Sequence, residues 1–135
     1  MSKTIKEIEG IGPKYAEKIA NEGIFTVHAL LEKGCTKSGR TELTEKTGIS
    51  EKLILEWVNM ADLFRIEGIG EEYSDLLEEA GVDTVVELSK RIPENLHTKM
   101  KEVNEQKKLV KQLPTIDMVK KWIETAKTLP RKVEY

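Results

Sequence analysis

Apolar residues recur along this chain at helical spacing, and no stretch alternates apolar with polar at period two, which predicts an all-α protein. Tyr15, Ala16, Ile19 and Ala20 share one helix face, and Leu53, Ile54, Trp57, Val58 and Ala61 form a longer stripe of the same kind. Turn residues punctuate these stripes. Pro13 opens a helix over 13–22 that Gly23 ends, and Thr26 caps a helix over 27–33 that Gly34 ends. A polar loop over 34–39 is expected next, then a helix over 40–47 closed by Gly48, and a helix capped by Ser50 that runs from 51 to about 65. Further on, the same signals predict helices over 71–80, 85–90, 93 to about 103, and 116–129, with Gly81, Thr84, Pro93 and Thr115 as boundary residues.

The second set of elements copies the first. Ile8-Glu9-Gly10-Ile11-Gly12-Pro13-Lys14-Tyr15 returns as Ile66-Glu67-Gly68-Ile69-Gly70-Glu71-Glu72-Tyr73, and Gly23, Thr26 and Val27 match Gly81, Thr84 and Val85 at the same offset. The last helix of each half also aligns, at an offset seven residues larger, pairing Leu53, Ile54, Trp57, Val58 and Ala61 with Met118, Val119, Trp122, Ile123 and Ala126. A fixed-period repeat is one supersecondary unit used twice. The expected units are 1–64 and 65–135, each near the lower limit for burying its own core. With no Gly-, Pro- or Ser-rich linker between them, they are expected to form a rigid pair.

Composition narrows the function classes. The 135 residues are 39% hydrophobic, 34% charged and 5% aromatic, as expected of a folded chain with a heavily charged surface. No apolar run approaches the ~18 residues that span a bilayer, and Met1-Ser2-Lys3-Thr4-Ile5-Lys6 lacks a signal-peptide core, so no membrane partner and a cytoplasmic location are expected. Cys35, His28 and His97 are too few and too scattered for a zinc site. Tyr15/Tyr73 and Trp57/Trp122 recur on apolar faces and read as core residues, since a base-stacking platform would need exposed aromatics among basic residues. The net charge of −2 hides an asymmetry: 65–87 carries one base and eight acids, whereas 88–135 carries twelve bases and six acids.

The segment Ile8 to Ile19 resembles the helix-hairpin-helix motif of DNA repair and recombination proteins, an apolar-x-Gly-apolar-Gly turn followed by a helix. The first unit is also similar to the amino-terminal domain of Rad51-type recombinases, with Gly23-Ile24-Phe25-Thr26 and Thr47-Gly48-Ile49-Ser50 at the matching places, and the tandem form resembles a small family known only as a domain of unknown function. The resemblance implies two tandem helix-hairpin-helix units. It also implies weak, sequence-independent contact with a DNA backbone, in which the N–H groups at Gly10 and Gly12 and the side chains of Lys14 and Lys18 meet a phosphate. A monovalent cation held by hairpin carbonyls at Gly10–Gly12 belongs to the same implication; no other cofactor is expected. Physically, a tight turn and a helix start offer bare N–H groups at the positive end of a helix dipole.

The second copy departs at the decisive place, where Glu72 and Leu76 replace Lys14 and Lys18 among further carboxylates. Such a helix repels phosphate and suits a structural role or a basic protein partner. Gly34 to Thr41 is close to a phosphate-binding loop but has Arg40 for the lysine and follows a helix, so it reads as a flexible loop that adds Lys37 and Arg40 to an anion-contacting surface. Lys99, Lys101, Lys107, Lys108, Lys111, Lys120 and Lys121 form a second basic cluster. Glu71, Asp75, Glu78 and Glu79 read as a solvated face instead of a metal site, and no catalytic constellation stands out. The expectation is a non-enzymatic DNA-backbone binder, the alternative a protein-interaction or oligomerisation module docking through the acidic helix over 71–80.

Overall fold

Short polar side chains start most of the helices. In the computed structural model, which describes residues 3–135, α1 spans Pro13–Ala20, α2 Val27–Gly34, α3 Lys37–Thr47, α4 Glu51–Leu63, α5 Glu71–Glu79, α6 Val85–Ser89, α7 Pro93–Lys107 and α8 Ile116–Thr128. Thr26, Thr36, Ser50, Thr84 and Thr115 each accept a hydrogen bond from the N–H three residues on, at 3.0–3.3 Å. Gly23 (φ +80°), Gly48 (φ +76°) and Gly81 (φ +96°) take the left-handed conformation at or just past helix ends. The chain is all-α: among the described residues no strand forms, and the one β-bridge joins Thr4 to Thr26.

The chain divides into two compact units, Met1–Asp62 with Lys132–Tyr135, and Leu63–Arg131. The internal boundary lies two residues before the expected 64/65, but the last four residues do not belong to the second half. They return to the first unit because their backbone and side chains find partners there. Val133 is buried, Glu134 N–H donates to the Cys35 carbonyl (2.7 Å), Lys132 pairs with Glu32 (2.7 Å), and Tyr135 OH donates to Asn59 (3.3 Å).

In the first unit a 3-10 turn, Ile5–Glu7, is tied to the α1–α2 corner by Ile5 N–H to the Phe25 carbonyl (3.1 Å) and Val27 N–H to the Lys3 carbonyl (2.8 Å). Ile8, Ile19, Leu30, Leu43, Ile54 and Trp57 fill the core. The expected loop over 34–39 is largely helical: α2 reaches Gly34, Thr36 caps α3, and α3 begins at Lys37. Two glycines allow this sharp corner. A Cβ on Gly39 would lie 1.9 Å from the Lys33 carbonyl oxygen, and one on Gly34 would lie 2.4 Å from a Val58 methyl carbon. The near match to a phosphate-binding loop therefore comes from close helix packing.

Arg40 is only 2% exposed. Its guanidinium donates to the carbonyls of Gly34 (2.8 Å) and Glu134 (2.7 Å), so it holds a cation at the carboxyl end of α2 and fastens the tail. That burial corrects the expectation that Arg40 contributes to an anion-contacting surface.

In the second unit α7 runs a turn beyond the expected 103, to Lys107, and ends on Lys108 in the left-handed conformation (φ +52°). Asn104 closes the extra segment by hydrogen bonds in both directions with the Val110 backbone (3.0 and 3.1 Å), and Val110 is buried in the core. The seven added residues are thus a stapled loop.

Gly39→Ala should destabilise the first unit by about 3 kcal/mol in urea unfolding followed by circular dichroism. The clash with a backbone oxygen outweighs the gain of at most about 1 kcal/mol from replacing glycine within a helix. Deleting 132–135 removes an acceptor from a buried guanidinium and should cost about 2–3 kcal/mol. Arg40→Met combined with the deletion should cost less than the sum of the two, because they break the same bond.

Candidate functional site

The first Gly-Ile-Gly turn sits on a tyrosine–tryptophan pair. Ile11 is buried and its N–H donates to the Ile8 carbonyl (3.1 Å), which draws the chain into a tight reversal. Gly10 takes φ +95°, and a Cβ there would stand 3.2 Å from Trp57 Nε1, so conformation and packing both call for glycine. Trp57 is buried, and the ring of Tyr15 leans on it with centroids 5.1 Å apart. The recurrent tryptophans are core, as their apolar spacing predicts, and the tyrosines pack on them half-buried.

Gly12 is different. Its φ of −82° suits any residue, and a Cβ there would meet nothing within 4 Å. It is the N-cap of α1, contributes no side-chain acceptor, and is followed by Pro13 at the first helical position. The N–H groups of Lys14 and Tyr15 therefore open α1 without a side-chain cap, at the positive end of the helix dipole.

The surrounding charges single out a few lysines. Lys33 and Lys46 both bind Glu42 (2.6 and 2.9 Å), and Lys132 binds Glu32. Lys14, Lys18 and Lys37 are exposed and, among the described residues, take part in no ion pair. Lys14 lies beside the turn and Lys18 one helical turn along the same helix, whereas Lys37 opens α3. Four of the six expected residues, Gly10, Gly12, Lys14 and Lys18, thus belong to one turn and the helix it starts. Glu9 and Glu17 are exposed on the same stretch and reduce its net positive charge.

The Ile8 carbonyl accepts the Ile11 N–H, and the one buried side-chain oxygen without a partner among the described residues is Thr44 Oγ1, on α3. Among the described residues no three His, Cys, Asp or Glu side chains are placed to share a metal ion.

The second turn repeats the geometry and reverses the charge. Gly68 has φ +94°, a Cβ there would stand 3.1 Å from Trp122 Nε1, and Tyr73 leans on Trp122 at 5.3 Å. Here Glu71 and Glu72 occupy the first turn of α5, so carboxylates of the chain itself already face the positive helix end.

The Glu42 bridge was not foreseen from sequence, because Lys33 lies nine residues away on another helix. Hydrogen bonds and charge from Lys33 and Lys46 hold the Glu42 carboxyl at about 2, against an ordinary 4.5. A carboxyl lowered by folding adds stability above its unfolded value and loses it as pH falls through the folded one. Stability should therefore decline between about pH 4.5 and 2, and Glu42→Gln should remove part of that decline in unfolding midpoints compared across the same range.

Among the described residues no helix is long and apolar enough to cross a membrane. Comparison with curated proteins and with solved structures finds no match. A family model covers residues 9–129, which includes both Gly-Ile-Gly turns and both aromatic pairs. The chain belongs to the family described as a domain of unknown function, DUF4332.

Proposed function

We propose that the first unit is a helix-hairpin-helix element that contacts a nucleic-acid backbone without reading sequence, through the N–H groups at Gly10, Gly12 and Lys14 and the ammonium groups of Lys14 and Lys18, and that the protein is not an enzyme. The observation that carries this reading is Gly12. Neither conformation nor packing requires glycine there, yet its lack of a side chain leaves an uncapped helix start beside two unpaired lysines. A phosphate diester supplies the acceptors and the charge that such a site lacks.

The second turn supports the reading by contrast. It has the same backbone and the same indole beneath it, but its helix start is acidic, so a contact based on turn shape alone would use both copies and one based on charge only the first. Lys37 is a further exposed cation, at the start of α3, whereas Arg40 is committed to backbone carbonyls and has no part in the surface. Two or three lysines neutralise few phosphates, so affinity should stay near the weak, nonspecific level of about 10⁻⁴ M at physiological salt.

The alternative, a protein partner docking on the acidic α5, is less well supported. Glu79 is already paired with Lys107 within the same unit.

Fluorescence anisotropy with labelled duplexes of unrelated sequence tests the proposal. Binding should be equal across sequences, weaken as salt rises, and lose about one unit of log-log salt slope for each of Lys14→Gln and Lys18→Gln. Gly12→Asp should keep or raise stability by a few tenths of a kcal/mol, as a better cap, while abolishing binding. Equal binding by Gly12→Asp and wild type, or no binding at low salt, would overturn the proposal.

A further inference from the structure

A second concave site lies at the α6–α7 corner of the second unit. It is a cavity of about 240 Å³ lined by Lys90, Arg91, Ile92, Asn95, Leu96 and Lys99. Three of the six are cations and none is an acid. The one carboxylate bonded to a lining side chain, Glu87, is occupied by Arg91 (2.8 Å). Arg91 also donates to the Gly81 carbonyl (2.8 Å), so its guanidinium is held in place before any ligand arrives. The side chains of Lys90, Asn95 and Lys99, by contrast, have no hydrogen-bond or ion-pair partner among the described residues.

α7 starts at Pro93 with Ile92 as its N-cap, and no side chain caps its first turn, but the exposed Glu94 sets one carboxylate there, so the positive charge of the site comes from its side chains and not from the helix start. Ile92 is 59% exposed and Leu96 is buried at the base, giving the site an apolar lip and floor beside its donors. Its volume falls below the roughly 300–1,000 Å³ of sites that enclose a whole small molecule, which suits one charged group and the carbon next to it.

We propose that this pocket binds a phosphate group, with Lys90, Lys99 and the Asn95 amide as donors and Arg91 as a fixed positive wall. The phosphate is either inorganic or monoester phosphate, or a phosphate of a nucleic-acid backbone. The site belongs to the second unit and stands whether or not the first unit's turn contacts nucleic acid.

The test is an amide ¹H–¹⁵N titration of the full chain with sodium phosphate, against sodium chloride at matched ionic strength. Saturating shifts at Asn95 and Leu96 are expected, weakened about tenfold in Lys90→Gln/Lys99→Gln and unchanged in Lys120→Gln/Lys121→Gln, which removes the same charge outside the pocket. Both lysines of the pocket are exposed, and the amide spectrum itself reports whether each variant keeps its fold. A short DNA duplex added in a second arm identifies the source. Displacement of phosphate with shifts at the same amides assigns the site to nucleic acid, and phosphate saturation without a duplex effect assigns it to free or monoester phosphate. Repeating both arms on Lys14→Glu separates this pocket from the first turn. Shifts no larger than with chloride, or equal loss in the two double variants, would overturn the proposal.

Discussion

Each half of this protein depends on a glycine pressed against the edge of an indole. Gly10 and Gly68 adopt φ near +95° and stand so close to Trp57 and Trp122 that a Cβ would fall 3.1–3.2 Å from the ring nitrogen. The indoles are buried, and Tyr15 and Tyr73 lean on them from the helices that follow the turns. The turn, the first helix and the last helix of each unit are thereby fixed against one another at a single point. Large aromatic rings bury much surface and have few rotamers, so a turn resting on one has little freedom to rearrange. The contact is built from residues 47 positions apart in the first unit and 54 in the second, and the repeat keeps it although the connection between them differs by seven residues.

Because the backbone scaffold is shared, whatever distinguishes the two turns must come from the side chains around them. Fold and function separate here within one chain. Pro13-Lys14 in one copy and Glu71-Glu72 in the other occupy the same first helical turn, with opposite consequences for the helix dipole. Neither start has a side-chain cap: the acidic copy sets two carboxylates at its positive end, and the basic copy sets a lysine there. The second copy instead concentrates unpaired positive charge at the α6–α7 corner, where the first copy has an interior arginine and a returning tail.

Local signals were legible in the sequence because local chemistry decides them. Thr26, Thr84 and Thr115 cap the helices they were expected to cap, and Gly23, Gly48 and Gly81 take positive φ where a stop was expected. The failures all involve partners six or more residues away, beyond the reach of a local helix template. Gly34 and Gly39 looked like loop glycines because nothing local reveals that Val58 and the Lys33 carbonyl crowd them. Arg40 looked like surface because its second acceptor, the Glu134 carbonyl, lies 94 residues away. The same bond explains why the tail left the half to which its position had assigned it. Asn104 and Val110 close the added loop through an amide whose partner lies six residues on, a pattern no helix template contains. At the candidate site, Lys14 and Lys18 were visible from spacing, whereas the distinction between an obligatory Gly10 and an optional Gly12 needed the neighbours in three dimensions.

An unpaired lysine on a surface is weak testimony by itself, because an exposed ion pair contributes about 1 kcal/mol at most and its absence costs the fold almost nothing. This chain has 22 bases and 24 acids, enough for either kind of side chain to be left over by chance. Lys14 and Lys18 stand beside the bare N-cap at Gly12, whereas the equally bare N-cap at Gly70 stands beside carboxylates. An aspartate or serine in place of Gly12 would cap α1 at least as well. Stability alone would be indifferent to the lysines and would mildly favour filling the cap; the proposed backbone contact is the reading in which one phosphate meets both the open N–H groups and the lysines.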